Sequence, residues 1–165
     1  MKKIVFVAII AMTFLGAINA QIPSVTLKSV DGKSVDTSKL NNNGKPYIIS
    51  FFALWCKPCL RELSAIHEVY ADWQAETGVK LIAVSCDQGQ DSYKVAPEVK
   101  GKGWEFEVLL DPNNDFKRAL GLNEMPSLVI VDGNGKIVSK HTGYKDGSEK
   151  KLIEEIKKII SESKK

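Results

Sequence analysis

The sequence predicts an α/β domain in which a central mixed β-sheet is flanked by helices, and three observations carry that prediction. An apolar, β-branched and aromatic run at 47–54 is typical of a strand buried on both faces. After Cys59 the period changes, because apolar residues recur at steps of three and four from Leu63 to Trp73, as in an amphipathic helix. A second apolar run at 80–86 follows, so that strand, helix and strand predict two parallel strands.

Turn residues between short runs predict the remaining elements. Asp-Gly at 31–32 predicts an N-terminal hairpin, and the turn at 132–135 predicts a second hairpin. Between the buried strands and the second hairpin we expect a helix over 91–100 weakened by Pro97, a strand over 105–110, and a helix over 113–120 that ends at Gly121. The spacing of Asp146 and Glu149 predicts a capping box at the start of a C-terminal helix.

Residues 1–20 are interpreted as a secretory signal peptide, followed by one domain over 21–165. The segment has a basic start, an apolar run to residue 17 and a small residue at position 20. The apolar run is shorter than the ~20 residues that a membrane span needs. We therefore expect a periplasmic or other extracytoplasmic protein, which would be membrane-tethered if the signal stayed uncleaved.

The charge balance gives no support for nucleic-acid binding. The chain carries 23 lysine and arginine residues against 20 acidic ones, and removal of the signal peptide leaves 21 against 20. The size suits one domain with one core. We expect a monomer that binds no nucleic acid.

Cys56 and Cys59 lie where the first buried strand gives way to the helix. The first turn of a helix has unpaired N–H groups and a partial positive charge, both of which stabilise a thiolate. Cys56 is therefore expected to lose its proton more easily than a free thiol. Lys57 adds a cation, and Pro58 suits the first helical turn. Cys59 can reach back to Cys56, so the pair can close a disulfide or open one by exchange.

Other roles for the two cysteines fit less well. A zinc site usually takes four ligands, and only Cys86 and two histidines remain. Haem attachment needs a histidine after Cys59, where Leu60 stands, and a peroxiredoxin-type peroxidase needs proline and threonine where Ile49 and Ala53 stand. A purely structural role for a Cys56–Cys59 disulfide remains an alternative, because export leads to an oxidising compartment. The loop between the two cysteines is so short, however, that closing it constrains the chain little. We expect no metal and no cofactor.

The Trp-Cys-X-X-Cys sequence after a buried strand, with Pro126 before the strand at 127–131, resembles the thioredoxin superfamily. The chain is most similar to TlpA/ResA-like thiol-disulfide oxidoreductases of the bacterial envelope, since Glu62 matches an acid of that subfamily. The similarity covers about residues 25–160. It implies a thioredoxin-like fold with an N-terminal hairpin and an inserted strand–helix that thioredoxin lacks. It also implies a cis Met125–Pro126 bond that faces the cysteines.

The resemblance implies an enzyme that reduces disulfides of envelope proteins. Cys56 would attack the substrate, Cys59 would resolve the mixed disulfide, and a membrane thiol donor would return electrons, as in cytochrome c maturation. Met125 and Pro126 would contact the substrate; Trp55 is interpreted mainly as a packing residue and kept as a substrate-binding candidate. A disulfide oxidase or isomerase that uses the same cysteines stays open, as does a non-enzymatic binding module.

Glu62 is the third catalytic candidate. Helical spacing places it in line with Ile66 and Trp73, on the side that should face the sheet. Burial should raise its pKa, so that it could exchange a proton with Cys59; a position at the edge of the stripe, in contact with water, stays open. Cys86 is interpreted as a buried inert thiol, with a third redox partner as the alternative.

Overall fold

The computed structural model describes residues 20–163, so nearly all of the predicted signal peptide lies outside the described residues. The strands are β1 (Thr26–Ser29), β2 (Ser34–Asp36), β3 (Tyr47–Phe52), β4 (Lys80–Ser85), β5 (Glu107–Leu110), β6 (Ser127–Val131) and β7 (Ile137–Thr142). The α-helices are α1 (Lys57–Thr77), α2 (Val95–Lys102), α3 (Asp115–Ala119) and α4 (Ser148–Glu162), and 3-10 helices span Thr37–Lys39 and Gly89–Lys94. Within residues 20–163 no helix combines the length and the apolarity that a bilayer crossing requires.

The seven strands form one mixed sheet in the order β2-β1-β5-β4-β3-β6-β7. β3 pairs in parallel with β4 and antiparallel with β6, so the helix α1 connects two parallel neighbours. The predicted hairpins are β1 with β2 and β6 with β7, both antiparallel. The mixed sheet, the N-terminal hairpin and the inserted strand–helix (β5 and α3) are therefore confirmed.

Helices cover both faces of the sheet, since all six residues of β3 are buried and all but Ser50 are apolar. On one face α1 and α4 pack through residues such as Leu63, Ile66 and Ile156. On the other face α3 inserts Phe116, whose ring centroid lies 5.5 Å from that of Phe51. The carboxyl ends of β3 and β4 thus meet at one edge between the two layers.

One helix ends where the sequence predicts, whereas another predicted helix is divided in two. α1 ends at Gly78, which has φ +67° and closes the helix as predicted. The segment predicted as one helix over 91–100 is instead divided into the 3-10 helix Gly89–Lys94 and α2. Pro97 is the third residue of α2, where a missing N–H breaks no helical hydrogen bond.

Two local predictions are wrong. The strand expected over 47–54 ends at Phe52, because the Leu54 N–H bonds to the side chain of Asp87. The capping box is absent: the N-cap of α4 is Gly147, at φ +88°, and Asp146 lies outside the capping position. Glycine adopts this left-handed conformation without steric cost, so the chain enters α4 through it.

Candidate active site

Cys56 and Cys59 form a disulfide at the N-terminus of α1, with their Cα atoms 5.3 Å apart. Cys56 is the N-cap residue, and its carbonyl accepts the first helical hydrogen bond, 3.1 Å from the Leu60 nitrogen. Cys56 is 5 % exposed and Cys59 1 %, so the first cysteine is the one closer to solvent. The positive end of the helix lies at Cys56, where it favours a thiolate once the disulfide opens.

The turn that leads into Cys56 is held by a buried carboxylate that the sequence analysis did not single out. The Leu54 N–H is shared between both carboxylate oxygens of Asp87, at 3.0 Å each, and the Ser85 hydroxyl donates to Oδ2 at 2.9 Å. Asp87 is only 1 % exposed. Burial raises its pKa, while the bonds from Ser85 and Leu54 act in the opposite direction. An acid shortly after the end of β4, beside the strand that leads to the cysteines, is the signal that could have revealed it.

Glu62 lies in α1, one turn after Cys59, and is 3 % exposed, which confirms its predicted place on the buried side. Its Oε2 accepts a hydrogen bond from the hydroxyl of Ser50 in β3, at 3.0 Å. Burial raises the pKa of Glu62 to about 7, and the Ser50 hydrogen bond opposes that rise. The carboxyl group can therefore both take and release a proton near neutral pH.

The Met125–Pro126 peptide bond is cis, as the resemblance implied. The Pro126 carbonyl accepts a hydrogen bond from the Gly143 nitrogen at 2.8 Å, which ties the proline to the end of β7. Trp55 is 69 % exposed, so its interpretation as a packing residue is wrong and its surface is free for contact. Trp55 and Met125 line one cleft, so the structure brings these two substrate-binding candidates together.

Cys86 follows β4, directly beside the strand that leads to Cys56, and is 3 % exposed. Burial and the negative charges of Asp111 and Asp87 raise the pKa of its thiol to about 12, against the opposing charge of Lys117. A thiol that stays protonated at neutral pH is a poor nucleophile. These features favour the interpretation of Cys86 as an inert thiol.

The two histidines make contacts away from the cysteines. The His67 ring lies edge-on to Phe106, with centroids 6.3 Å apart, and His141 Nε2 lies 2.9 Å from a carboxylate oxygen of Glu155. Among residues 20–163 no three histidine, cysteine, aspartate or glutamate side chains cluster in a way that could hold a metal ion.

A disulfide at a helix N-terminus on a mixed sheet, with a cis-proline and a buried glutamate, defines a thioredoxin-like thiol-disulfide oxidoreductase. Residues 18–140 match the model of the AhpC/TSA family, and the chain belongs to that family. The proline and threonine of the peroxidase motif are replaced here by Ile49 and Ala53. This member of the family therefore has the Cys-X-X-Cys pair and lacks the proline and threonine of the peroxidase motif.

The curated relatives and solved structures agree with this class. The chain is 27 % identical over 140 residues to the thiol-disulfide oxidoreductase ResA of Halalkalibacterium halodurans, covering 85 % of this chain and 75 % of that protein. It is 61 % identical to an uncharacterized thioredoxin-like protein from Porphyromonas gingivalis whose solution structure superposes with a TM-score of 0.77, covering 86 % of this chain and 92 % of that one. StoA from Bacillus subtilis, at 21 % identity and a TM-score of 0.61 over 80 % of this chain and 96 % of its own, shares the fold.

Proposed function

We propose that this protein reduces disulfide bonds of other proteins outside the cytoplasm, with Cys56 and Cys59 as its redox pair. The observation that carries the proposal is the Cys56–Cys59 disulfide at the N-terminus of α1, with Glu62 buried one turn behind it. Cys56 has the greater exposure and the helix N-terminus, so it is the attacking residue.

The exchange takes two steps once the pair is reduced. The Cys56 thiolate attacks one sulfur of the substrate disulfide, that S–S bond breaks, and the first substrate cysteine leaves as a thiolate that takes up a proton. The Cys59 thiolate then attacks the Cys56 sulfur, the mixed disulfide breaks, and the second substrate thiolate leaves and is protonated. Two electrons pass to the substrate, and the Cys56–Cys59 disulfide is restored.

Glu62 serves this second step as an acid–base residue. Cys59 is 1 % exposed, so water has little access to the proton that its thiol must lose before it attacks. A carboxylate with a pKa of about 7 accepts that proton at neutral pH and returns it in the reverse reaction. The carboxyl group itself is oriented by the hydroxyl of Ser50.

Substrate binding is assigned to Met125, Pro126 and Trp55. The cis bond between Met125 and Pro126 and the exposed indole of Trp55 support contact with a polypeptide that brings its disulfide to Cys56. Trp and Tyr are enriched among the residues that dominate protein interfaces. Disulfide-bonded proteins are accordingly the proposed substrates, and the protein acts as a monomer.

The proposed location is the periplasm or another extracytoplasmic space, reached by cleavage of the signal peptide after Ala20. Gln21, the proposed first residue of the mature protein, forms a β-bridge to Lys136, so the mature chain would start in contact with the segment that leads into β7. A membrane thiol donor then returns the electrons, and cytochrome c maturation is one context for it. N-terminal sequencing of protein from the soluble envelope fraction should find Gln21; a membrane-bound protein that keeps Met1 would replace this proposal with an anchored form.

The roles of the two cysteines are tested by trapping. We expect Cys56→Ser to abolish insulin reduction, and Cys59→Ser to accumulate mixed disulfides with substrates, because only the resolving thiol is then missing. Trapping by Cys56→Ser would reverse the assignment. The reduction potential of the Cys56–Cys59 pair, measured against glutathione, tests the direction: thioredoxin-type reductants lie near −270 mV, and a value near −120 mV would favour an oxidase instead.

A further inference from the structure

A cleft of about 330 Å³ reaches Glu62 from between β7, the loop that follows β7 and the start of α4. A cleft of this size holds several water molecules, since each takes about 30 Å³ in the liquid. Glu62 is 3 % exposed, yet it is one of the residues that line the cleft. Ser50, which holds its carboxyl group, and Cys59, one helical turn away, are 0 % and 1 % exposed. The cleft therefore gives Glu62 its contact with solvent.

Ser50, Leu128 and His141 lie in one row across the sheet. Ser50 of β3 pairs with Leu128 of β6, and Leu128 pairs in turn with His141 of β7. Side chains directly opposite each other lie on the same face with Cβ atoms about 5 Å apart, so His141 is about 10 Å from Ser50. The Ser50 hydroxyl binds Glu62 at one end of the row, and His141 lines the cleft at the other. One leucine side chain thus separates His141 from the residue that holds Glu62.

The residue types that line the cleft differ in their ability to exchange a proton at neutral pH. Besides Glu62, the lining contains four titratable side chains: His141, Tyr144, Lys145 and Lys151. Lysine amines and tyrosine phenols ordinarily titrate near pH ~10, whereas histidine ordinarily titrates between about 5 and 8. Burial raises the pKa of Tyr144 further, as do three nearby carboxylates, against the smaller effect of Arg61: Glu149, Asp146 and Glu62. Histidine is therefore the side chain of this lining that suits proton exchange with Glu62.

The ring of His141 is oriented by Glu155 of α4. Its Nε2 lies 2.9 Å from Oε2 of Glu155 and 3.3 Å from the Ser139 hydroxyl oxygen. A carboxylate only accepts hydrogen bonds, so Nε2 carries the hydrogen and Nδ1 is the nitrogen left to take up a proton. The imidazolium that then forms is stabilised by the negative charge of Glu155. Because the His141 side chain is 41 % exposed, it can pass the proton on to solvent.

We infer that His141, oriented by Glu155, is the residue through which Glu62 exchanges its proton with solvent. The inference rests on the acid–base role of Glu62 in the proposed function. The O–H bond of protonated Glu62 breaks as water in the cleft takes up the proton, and that water passes a proton to Nδ1 of His141. The products are the Glu62 carboxylate and an imidazolium, which releases its proton to solvent. His141 acts on the redox pair only through Glu62, and Glu155 acts only through His141.

The experiment measures proton exchange at Glu62 directly, in the oxidised protein, where the redox pair has no thiol to titrate. Full-length protein without its signal peptide is labelled with ¹³C at the glutamate carboxyl groups, and Glu62→Gln identifies the Glu62 signal by its loss. Relaxation dispersion of that signal at pH 7, near the pKa of Glu62, gives the rate of exchange between the protonated and ionised forms. The test variants are His141→Gln and Glu155→Gln. The matched control is His67→Gln, the other histidine of the chain, whose ring packs against Phe106.

We expect His141→Gln to slow this exchange about a hundredfold, the lower end of what a positioned proton-transfer group contributes, and added imidazole to restore it. Glu155→Gln keeps the ring without its carboxylate and should slow the exchange less, while His67→Gln should match wild type. Wild-type exchange in His141→Gln, equal slowing in His67→Gln, or slowing that imidazole does not restore would overturn the inference. These outcomes need no substrate, whereas failure of the proposed function would appear separately, as wild-type protein that does not reduce insulin.

Discussion

The hydroxyl of Ser50 donates a hydrogen bond to the carboxyl group of Glu62 across the interface between β3 and α1, with Oγ and Oε2 3.0 Å apart. Both residues are buried, at 0 % and 3 % exposure. The bond opposes the larger effect of burial, and the result is a pKa of about 7. Two residues from different elements thus set where one carboxyl group titrates, one helical turn behind the redox pair.

Glu62→Gln should slow the resolving step of disulfide exchange by on the order of a hundredfold, the usual contribution of a positioned acid–base group. In the wild type this rate should rise as the pH increases through about 7, because Glu62 becomes able to accept a proton. The measurement is release of the second nitrothiobenzoate after reduced protein is mixed with dithiobis(nitrobenzoate), from pH 5 to pH 9. Glu68→Gln, an exposed glutamate of the same helix, is the control. Identical pH profiles for wild type and Glu62→Gln would show that Glu62 is structural.

Ser50→Ala should move that pH dependence to higher pH. The Ser50 hydrogen bond stabilises the charged carboxylate, so its loss raises the pKa of Glu62 above about 7. The same assay measures the shift. The control is Ser50→Ala in a Glu62→Gln background, where no shift should remain; a shift that survives there would assign the effect to some other group.

Glu62→Gln should also stabilise the oxidised protein at neutral and alkaline pH. The carboxyl pKa is 4.5 in its ordinary state and about 7 in the fold, so between these values the unfolded chain releases a proton that the native protein keeps. Wild-type stability therefore falls as pH rises through this window, by on the order of 3 kcal/mol at 1.36 kcal/mol per pKa unit. Urea unfolding at pH 4 and pH 8 measures it: the advantage of Glu62→Gln should appear only at pH 8, and Glu68→Gln should show none. An equal difference at both pH values would contradict the raised pKa.

Local patterns predicted most of the fold because several boundaries depend on a single residue type. Gly78 ends α1 in the left-handed conformation that its position suggests, and Gly121 follows α3 at φ +68°. The buried strands were recognisable because β3 and β4 carry apolar residues on both faces along most of their length. The start of α4 was not predictable in this way, since Asp146 and Gly147 are both acceptable capping residues and only the backbone path decides between them.

The parts of the site that sequence could not supply depend on strand register. Helical spacing along α1 was enough to bury Glu62, but its hydrogen bond to Ser50 requires the placement of α1 against β3. The Asp87 contact requires the parallel pairing that puts Phe52 opposite Ser85 and carries on to Leu54. Neither contact produces a periodic pattern in the sequence, because each joins residues at least 12 positions apart.

Cys86→Ala should leave both the reduction potential and the turnover of the protein close to wild type. The pKa of the thiol is raised to about 12 by burial and by neighbouring carboxylates, so Cys86 remains protonated and unreactive over the range in which the redox pair exchanges. Native protein with its disulfide intact should resist iodoacetamide at pH 8 and become alkylated only in denaturant. A large change in turnover for Cys86→Ala at unchanged stability would make Cys86 part of the redox site.

Asp87 should affect both the stability of the fold and the potential of the redox pair, and two substitutions separate these effects. Asp87→Ala leaves the Leu54 N–H and the Ser85 hydroxyl without their buried acceptor, which should cost about 1–3 kcal/mol in the free energy of unfolding. Asp87→Asn keeps an acceptor oxygen for the Leu54 N–H and removes the negative charge, so its loss of stability should be smaller.

The charge itself lies beneath the turn that carries Cys56, where a carboxylate disfavours a nearby thiolate and so favours the disulfide. Asp87→Asn should therefore raise the reduction potential of the Cys56–Cys59 pair, making the protein a weaker reductant. The potential is measured by equilibration with glutathione, with Asp72→Asn, an exposed acid on α1, as the control. If Asp87→Asn changes the unfolding free energy and leaves the potential equal to that of wild type and Asp72→Asn, the carboxylate only holds the turn.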